Sequence, residues 1–375
     1  MGKNKLKLIR INPNRLLPKE LIIESFDDFL YEIGLCLTSQ RKHPKRTLIF
    51  KPLIVFTFLS IFLFKTISIV LLNENNSHLF IKLGSIGHPL GIRQHICITI
   101  ILITSLSLSS QLIHYYNYRS GIKPTFIRVF QMISGLVRPK SVGLIDEDNI
   151  KILRKRTNIL FKILRINNNK LVPITAIIFL NGLYLLKLTP FETLLYGFPN
   201  SVSLAFWGLY VWNIIYYQIL CFYIICLYLN FKINSFNESL IQMNEKKRFL
   251  RIREILQSFN LVYNEINEYN TTFWSKFLFA FWLTLGSCVV FLLYVCCFTP
   301  IAVPIKIVIS YCIFFWGLTF LFTIFTASSV NYTANKTHKI LNSSLISYSQ
   351  NTRNPRISTK LRVFIKTIYS VINHY

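Results

Sequence analysis

Acidic side chains are scarce in this 375-residue chain, where 15 Asp and Glu stand against 42 Lys and Arg. Charge of either sign is thin as well, at 15% of residues where a water-soluble chain carries about 25%. That deficit, with 52% hydrophobic residues, 15% aromatic residues and a mean hydropathy of +0.44, excludes a disordered chain and argues against an ordinary soluble enzyme. The histidines are scattered singly, without the helical pairing or Cys-x-x-Cys partners that a metal site needs. A glycine-rich phosphate loop, a nucleophile elbow and a twin-carboxylate arrangement are all missing, so neither catalysis nor a cofactor is indicated.

What the sequence has instead is long apolar runs. Six stretches are long enough to cross a hydrocarbon core of about 30 Å at about 1.5 Å per residue. They fall at 52–73, 95–117, 171–188, 202–230, 273–298 and 301–330. None alternates with period two, so each reads as a helix that satisfies its own backbone in lipid. The expected fold is an all-α polytopic transmembrane helix bundle with long cytoplasmic helical extensions.

Basic residues give the orientation. Of the 42 Lys and Arg, 36 fall in four segments, 1–51, 118–170, 231–272 and 331–375. Positive charge stays cytoplasmic, so the N-terminus and the end of this chain are both expected inside, in a plasma-membrane protein. The same rule accounts for most of the net +27 and removes the case for nucleic acid as a partner. The organisation is then a cytoplasmic arm over 1–51, a bundle over 52–330 and a cytoplasmic helical segment over 331–375. The bundle includes a basic inner loop at 118–170 and a helical inner loop at 231–272. No cleavable signal precedes the first span. Of the glycosylation patterns, the one at Asn75 faces outward, while those at Asn237, Asn270, Asn331, Asn335 and Asn342 face the cytosol and should be silent.

Seven of the eight cysteines lie within spans and Cys36 lies on the N-terminal arm, so packing is expected of them and a disulfide framework is not. Cys296 and Cys297 are the one adjacent pair. Only Glu74 and Glu192 lie outside the cytoplasmic segments, which leaves a carboxylate-driven transporter few groups at membrane depth. Arg93, Lys187, Lys276 and Lys306 sit near span ends, where they can snorkel. Lys65 is deeper: it faces a hydrated cavity, or it marks a tilted, partly amphipathic span.

The segment between the fourth and fifth spans carries Ile252, Ile255, Phe259, Val262, Ile266 and Tyr269 at spacings of three and four, a seam that runs on to Phe273. It serves as an intersubunit seam, or as a face packed within one subunit or laid on the membrane. A shorter stripe recurs at Leu361, Phe364, Ile365, Ile368, Val371 and Ile372.

Three stretches carry a family likeness: FNLVYNEINEYNTTFWSKFL within 250–279, TANKTHKILNSSL within 327–345, and the amphipathic segment 360–375. With the six-span layout and the basic second inner loop, they resemble the insect-type gustatory and odorant receptors. Thr333 departs from the family, which often has Glu just before the Ala. The family's seventh, pore-lining span with its Thr-Tyr and Gln-Phe signature has no counterpart before Tyr375. The resemblance implies a tetrameric, ligand-gated cation channel in which a small organic ligand, a tastant for a gustatory member, enters the outer half of the bundle. Under the orientation above, the candidate ligand contacts are Trp207, Tyr210 and Trp212 in the fourth span, Tyr294 in the fifth, and Tyr311 and Phe314 in the sixth. A multipass transporter or accessory membrane protein is the alternative. An internal repeat would favour transport, and the first three spans show no convincing likeness to the last three.

Overall fold

The computed structural model describes residues 45–72, 77–85, 93–119, 126–133, 148–162, 189–245, 252–271, 275–300 and 303–351. These residues form helices and no strand. In chain order the helices are α1 (Lys45–Leu71), α2 (Ser77–Lys82), α3 (Arg93–Arg119), α4 (Phe126–Ile133) and α5 (148–162). They continue with α6 (Phe198–Glu245), α7 (Ile252–Tyr269), α8 (Ser275–Phe298) and α9 (Val303–Asn351). Five stretches are long and apolar enough to cross a membrane: Phe50–Leu71, Arg93–Tyr116, Pro190–Gln242, Leu278–Phe298 and Ile309–Leu341. They match five of the six expected spans; the third, at 171–188, lies outside the described residues.

α6 is the axis of the bundle. Of its most apolar window 72% is buried, against 22% to 44% in the other four spans, because α6 packs along α9 and also meets α3 and α1. It starts on a capping box. The Thr189 hydroxyl accepts from the Glu192 backbone N–H at 3.3 Å, and the Glu192 carboxylate accepts from the Thr189 N–H at 3.2 Å. Pro190 fills the first helical position, and a π turn over Thr193–Gly197 leads into α6.

Polar side chains survive in these spans because their protons stay within the helix. Thr66, Thr104, Ser107 and Thr326 each donate to the carbonyl four residues back, at 2.6 to 3.0 Å. Three hydroxyls that donate within their own helix, Thr104, Thr323 and Ser329, also accept from a neighbouring helix. Trp207 Nε1 donates to Thr104 at 2.8 Å, Trp282 Nε1 to Thr323 at 3.1 Å, and Asn230 Nδ2 to Ser329 at 2.9 Å. Each receiving hydroxyl passes its own proton to a backbone carbonyl, so the chain of donors ends satisfied. A fourth crossing joins α3 to α6: the Gln218 amide donates to Ser110 Oγ and lies 2.7 Å from His114 Nε2, all three buried.

Two helices continue past their apolar spans, as long helical extensions. α6 continues from Asn230 to Glu245 because Ile233, Phe236 and Leu240 keep its buried stripe at spacings of three and four. α9 continues to Asn351 with Thr333, Thr337 and Leu341 buried four residues apart. The helical inner loop expected from 231 and the helical segment expected from 331 begin as continuations of spanning helices. Below, the end of the bundle holding Leu71, Arg93 and Asn200 is the upper end, and the end to which α6 and α9 extend is the lower.

Candidate ligand-binding cavity and its aromatic wall

α6 and α9 descend in parallel, and aromatic rings interlock along their seam. Trp212 lies 5.5 Å from Tyr216 and 5.5 Å from Trp316, with Phe315 edge-on at 6.2 Å. Phe315 also meets Tyr216 edge-on at 5.9 Å and stacks on Tyr311 at 6.4 Å. Lower down, Tyr223 meets Phe322 at 5.2 Å. The pairs Tyr216 and Tyr223 on α6, and Phe315 and Phe322 on α9, are each seven residues apart, two helical turns, so all four rings return to one seam.

Beside these rings lies an open cavity of about 560 Å³, on whose outer side Phe322 and Phe325 are exposed. Tyr216, Tyr223, Phe315, Phe322 and Phe325 wall it, with Leu160 of α5 on one side. Thr319 also lines it, but its hydroxyl donates to the Phe315 carbonyl at 2.9 Å, and the wall is almost wholly apolar. A volume in the range of small-molecule sites, bounded by aromatic and aliphatic faces with almost no polar surface, suits a small organic molecule of low polarity. Among the described residues no group of three His, Cys, Asp or Glu side chains is placed to hold a metal ion.

The six ligand contacts expected from sequence do not converge on one point. Trp212 and Tyr311 stack on Tyr216 and Phe315 and so back the upper wall of the cavity. Trp207 and Tyr210 turn toward α1 instead, with Trp207 stacked on Phe62 at 5.4 Å and Tyr210 edge-on to Phe58 at 6.2 Å. Tyr294 lies exposed on α8 beside Phe298, and Phe314 is exposed on α9. The cavity residues missed at the sequence level are Tyr216, Tyr223, Phe315 and Phe322. Their paired seven-residue spacing in the fourth and sixth spans was the available signal.

Upper and lower ends of the bundle are held by polar clusters. At the upper end Lys65 Nζ donates to Asn200 Oδ1 at 2.5 Å and lies 5.7 Å from the centre of the Phe62 ring. Asn200 in turn donates to the carbonyls of Tyr196 and Lys82 at 2.8 and 3.1 Å. Arg93, expected to snorkel, is buried with its guanidinium 4.2 Å from the Phe80 ring centre, because α2 folds over it. At the lower end Glu265 of α7 forms an ion pair with Lys232 of α6 and accepts from the Tyr228 hydroxyl at 3.1 Å. Val262 and Tyr269 are buried and Ile266 packs on the core, so this part of the α7 stripe faces its own chain. The side chains of Ile252, Ile255 and Phe259 lie outside the described residues. The described cysteines are free; Cys296 Sγ sits 3.4 Å from Ser310 Oγ and Cys297 is exposed.

No family profile matches the sequence. No curated protein matches it either. Solved structures do. The insect olfactory receptor OR5 from Machilis hrabei superposes with a TM-score of 0.66 at 12% identity, covering 94% of this chain and 96% of that one. The same receptor in complex with eugenol gives 0.64 at 13% identity, covering 94% of this chain and 88% of that one. With an architecture shared over nearly the whole of both chains, this protein has the fold of an insect olfactory receptor, an all-α, multi-pass membrane helix bundle.

Proposed function

We propose that this chain is a chemosensory receptor subunit of gustatory type, a cation channel opened by a small organic ligand held between α6 and α9. The observation that carries the proposal is the aromatic-walled cavity of about 560 Å³ inside a fold shared with an olfactory receptor. The eugenol complex of that receptor, a small aromatic ligand in the same fold, supports it. The ligand stacks on Tyr216 and Phe315, with Trp212 and Tyr311 behind them setting the angle of those rings. Opening follows if the ligand binds the open arrangement of α6 and α9 more tightly than the closed one. The subunit works as a tetramer in the plasma membrane, with its N-terminus and the end of this chain in the cytoplasm. The crowding of basic residues on one side supports that orientation. The exposed apolar faces of α8 and α9 supply surface for neighbouring subunits and lipid.

Whole-cell recording from cells expressing the chain, challenged with a panel of small aromatic alcohols, phenols and esters, tests this directly. A ligand-evoked cation current is expected. Tyr216→Ala or Phe315→Ala should raise the half-maximal concentration about tenfold, the loss of roughly 1.4 kcal/mol of contact. Phe314→Ala, on the exposed face of α9, should shift it less than about twofold. Surface expression without any evoked current, or equal shifts from all three variants, would count against a ligand-gated channel.

A further inference from the structure

α5 presents two unlike faces. Ile150, Leu153 and Thr157 are buried, and Arg154 Nε ties the helix to the Ile133 carbonyl of α4 at 2.8 Å. On the other side Ile152 and Ile159 are exposed, seven residues apart, with exposed Lys155, Arg156 and Lys162 beside them. The one carboxylate on α5, Asp148, pairs with Lys151 at 2.8 Å, and among the described residues none pairs with those three cations. Bare isoleucines interleaved with cations suit the boundary between acyl chains and anionic headgroups. The same helix reaches the aromatic cavity. Leu160 is a wall residue, and Arg156 stands one turn before it, about 6 Å away between β-carbons. The open side of the cavity carries Leu318, Leu321, Phe322 and Phe325, all exposed on a spanning stretch of α9, so it faces hydrocarbon. Its wall offers almost nothing polar, so a charged group stays outside while an alkyl chain gains contacts by entering.

We propose that an anionic phospholipid docks here, its headgroup on Lys155, Arg156 and Lys162 and one acyl chain in the cavity. The Arg156 guanidinium can take two phosphate oxygens at once, while the lysines add charge. The inference rests on the receptor reading in one respect: the lipid chain holds the space that the small organic ligand takes over, so binding of that ligand includes displacement of the chain.

The test is photolabelling of the full chain in lipid nanodiscs with phosphatidylserine bearing a diazirine on one acyl chain, with adducts located by mass spectrometry. Saturable adducts within 216–223 and 315–325 are expected, about tenfold above those from phosphatidylcholine with the same chain. Changing Lys155, Arg156 and Lys162 together to Gln should bring the phosphatidylserine adducts down to the phosphatidylcholine level. These side chains are exposed, so thermal unfolding should not move. Leu318→Trp, at the cavity mouth, should lower the adducts from both lipids. Equal labelling by the two lipids, adducts unmoved in the folded triple variant, or adducts on the exposed face of α8 with none on the cavity wall would overturn the proposal. The last is the result expected if a neighbouring subunit covers the mouth. No current is measured, so failure here is distinguishable from failure of the receptor assignment.

Discussion

Gly84 shows how one backbone conformation fixes the upper end. It has a φ of +73°, and a Cβ built on it would come 2.5 Å from Asn200 Cγ. Asn200 cannot swing away freely, since its amide is bonded to two carbonyls and to Lys65. Gly84→Ala should therefore lower stability by about 1–3 kcal/mol, seen as an earlier thermal unfolding transition in detergent. Asn200→Ala removes the clash as well as the Lys65 bond, so the double variant should lose less than the two single losses combined. Strict additivity would mean that the loop and α6 are not in the contact described. Lys65 follows the same logic at residue scale: a lysine two turns inside a span is tolerated because a fixed amide oxygen lies within its reach. Nothing in the sequence links positions 65 and 200, so Lys65 stood out while its partner did not.

At the scale of elements, the link between α6 and α7 decides whether the lower end behaves as one body. The Lys232 side chain is 7% exposed and that of Glu265 22%, so water screens the pair only in part. Removing one partner by Glu265→Gln leaves a largely buried ammonium and should cost about 3 kcal/mol. Lys232→Met with Glu265→Leu should recover most of that loss, because the desolvation of both charges disappears with them. A loss below about 0.5 kcal/mol for Glu265→Gln would reduce the link to a surface contact. The element itself was legible in part. Val262, Ile266 and Tyr269 announced a buried stripe, yet periodicity does not say which chain covers it, and α6 of the same chain does so here. The extensions of α6 and α9 run past the spans for a related reason. A hydropathy window ends where polar residues enter, whereas a helix continues as long as one face stays buried, as at Ile233, Phe236 and Leu240.

For the whole molecule, the solvent was the most readable feature: apolar runs of spanning length recur as five of the helices. The cavity was less readable, because its walls come from α5, α6 and α9, and sequence gives neither the rotation nor the relative height of two helices. Trp212 and Tyr311 reach the cavity wall, while Trp207 and Tyr210, on the same helix as Trp212, turn to α1. Orientation across the bilayer belongs to this scale too, and acceptor asparagines report on it. Asn237 is 4% exposed within α6 and gives no signal on either side of a membrane. Asn331 and Asn335 are exposed on α9, so they would be modified if the lower end faced the lumen during synthesis. With the basic segments inside, only the pattern at Asn75 reaches the glycosylating side. Expression in a glycosylating cell should give a single glycan-sized shift on a denaturing gel, removed by endoglycosidase and abolished by Asn75→Gln. A shift that survives Asn75→Gln and disappears with Asn331→Gln and Asn335→Gln would turn the protein over in the membrane.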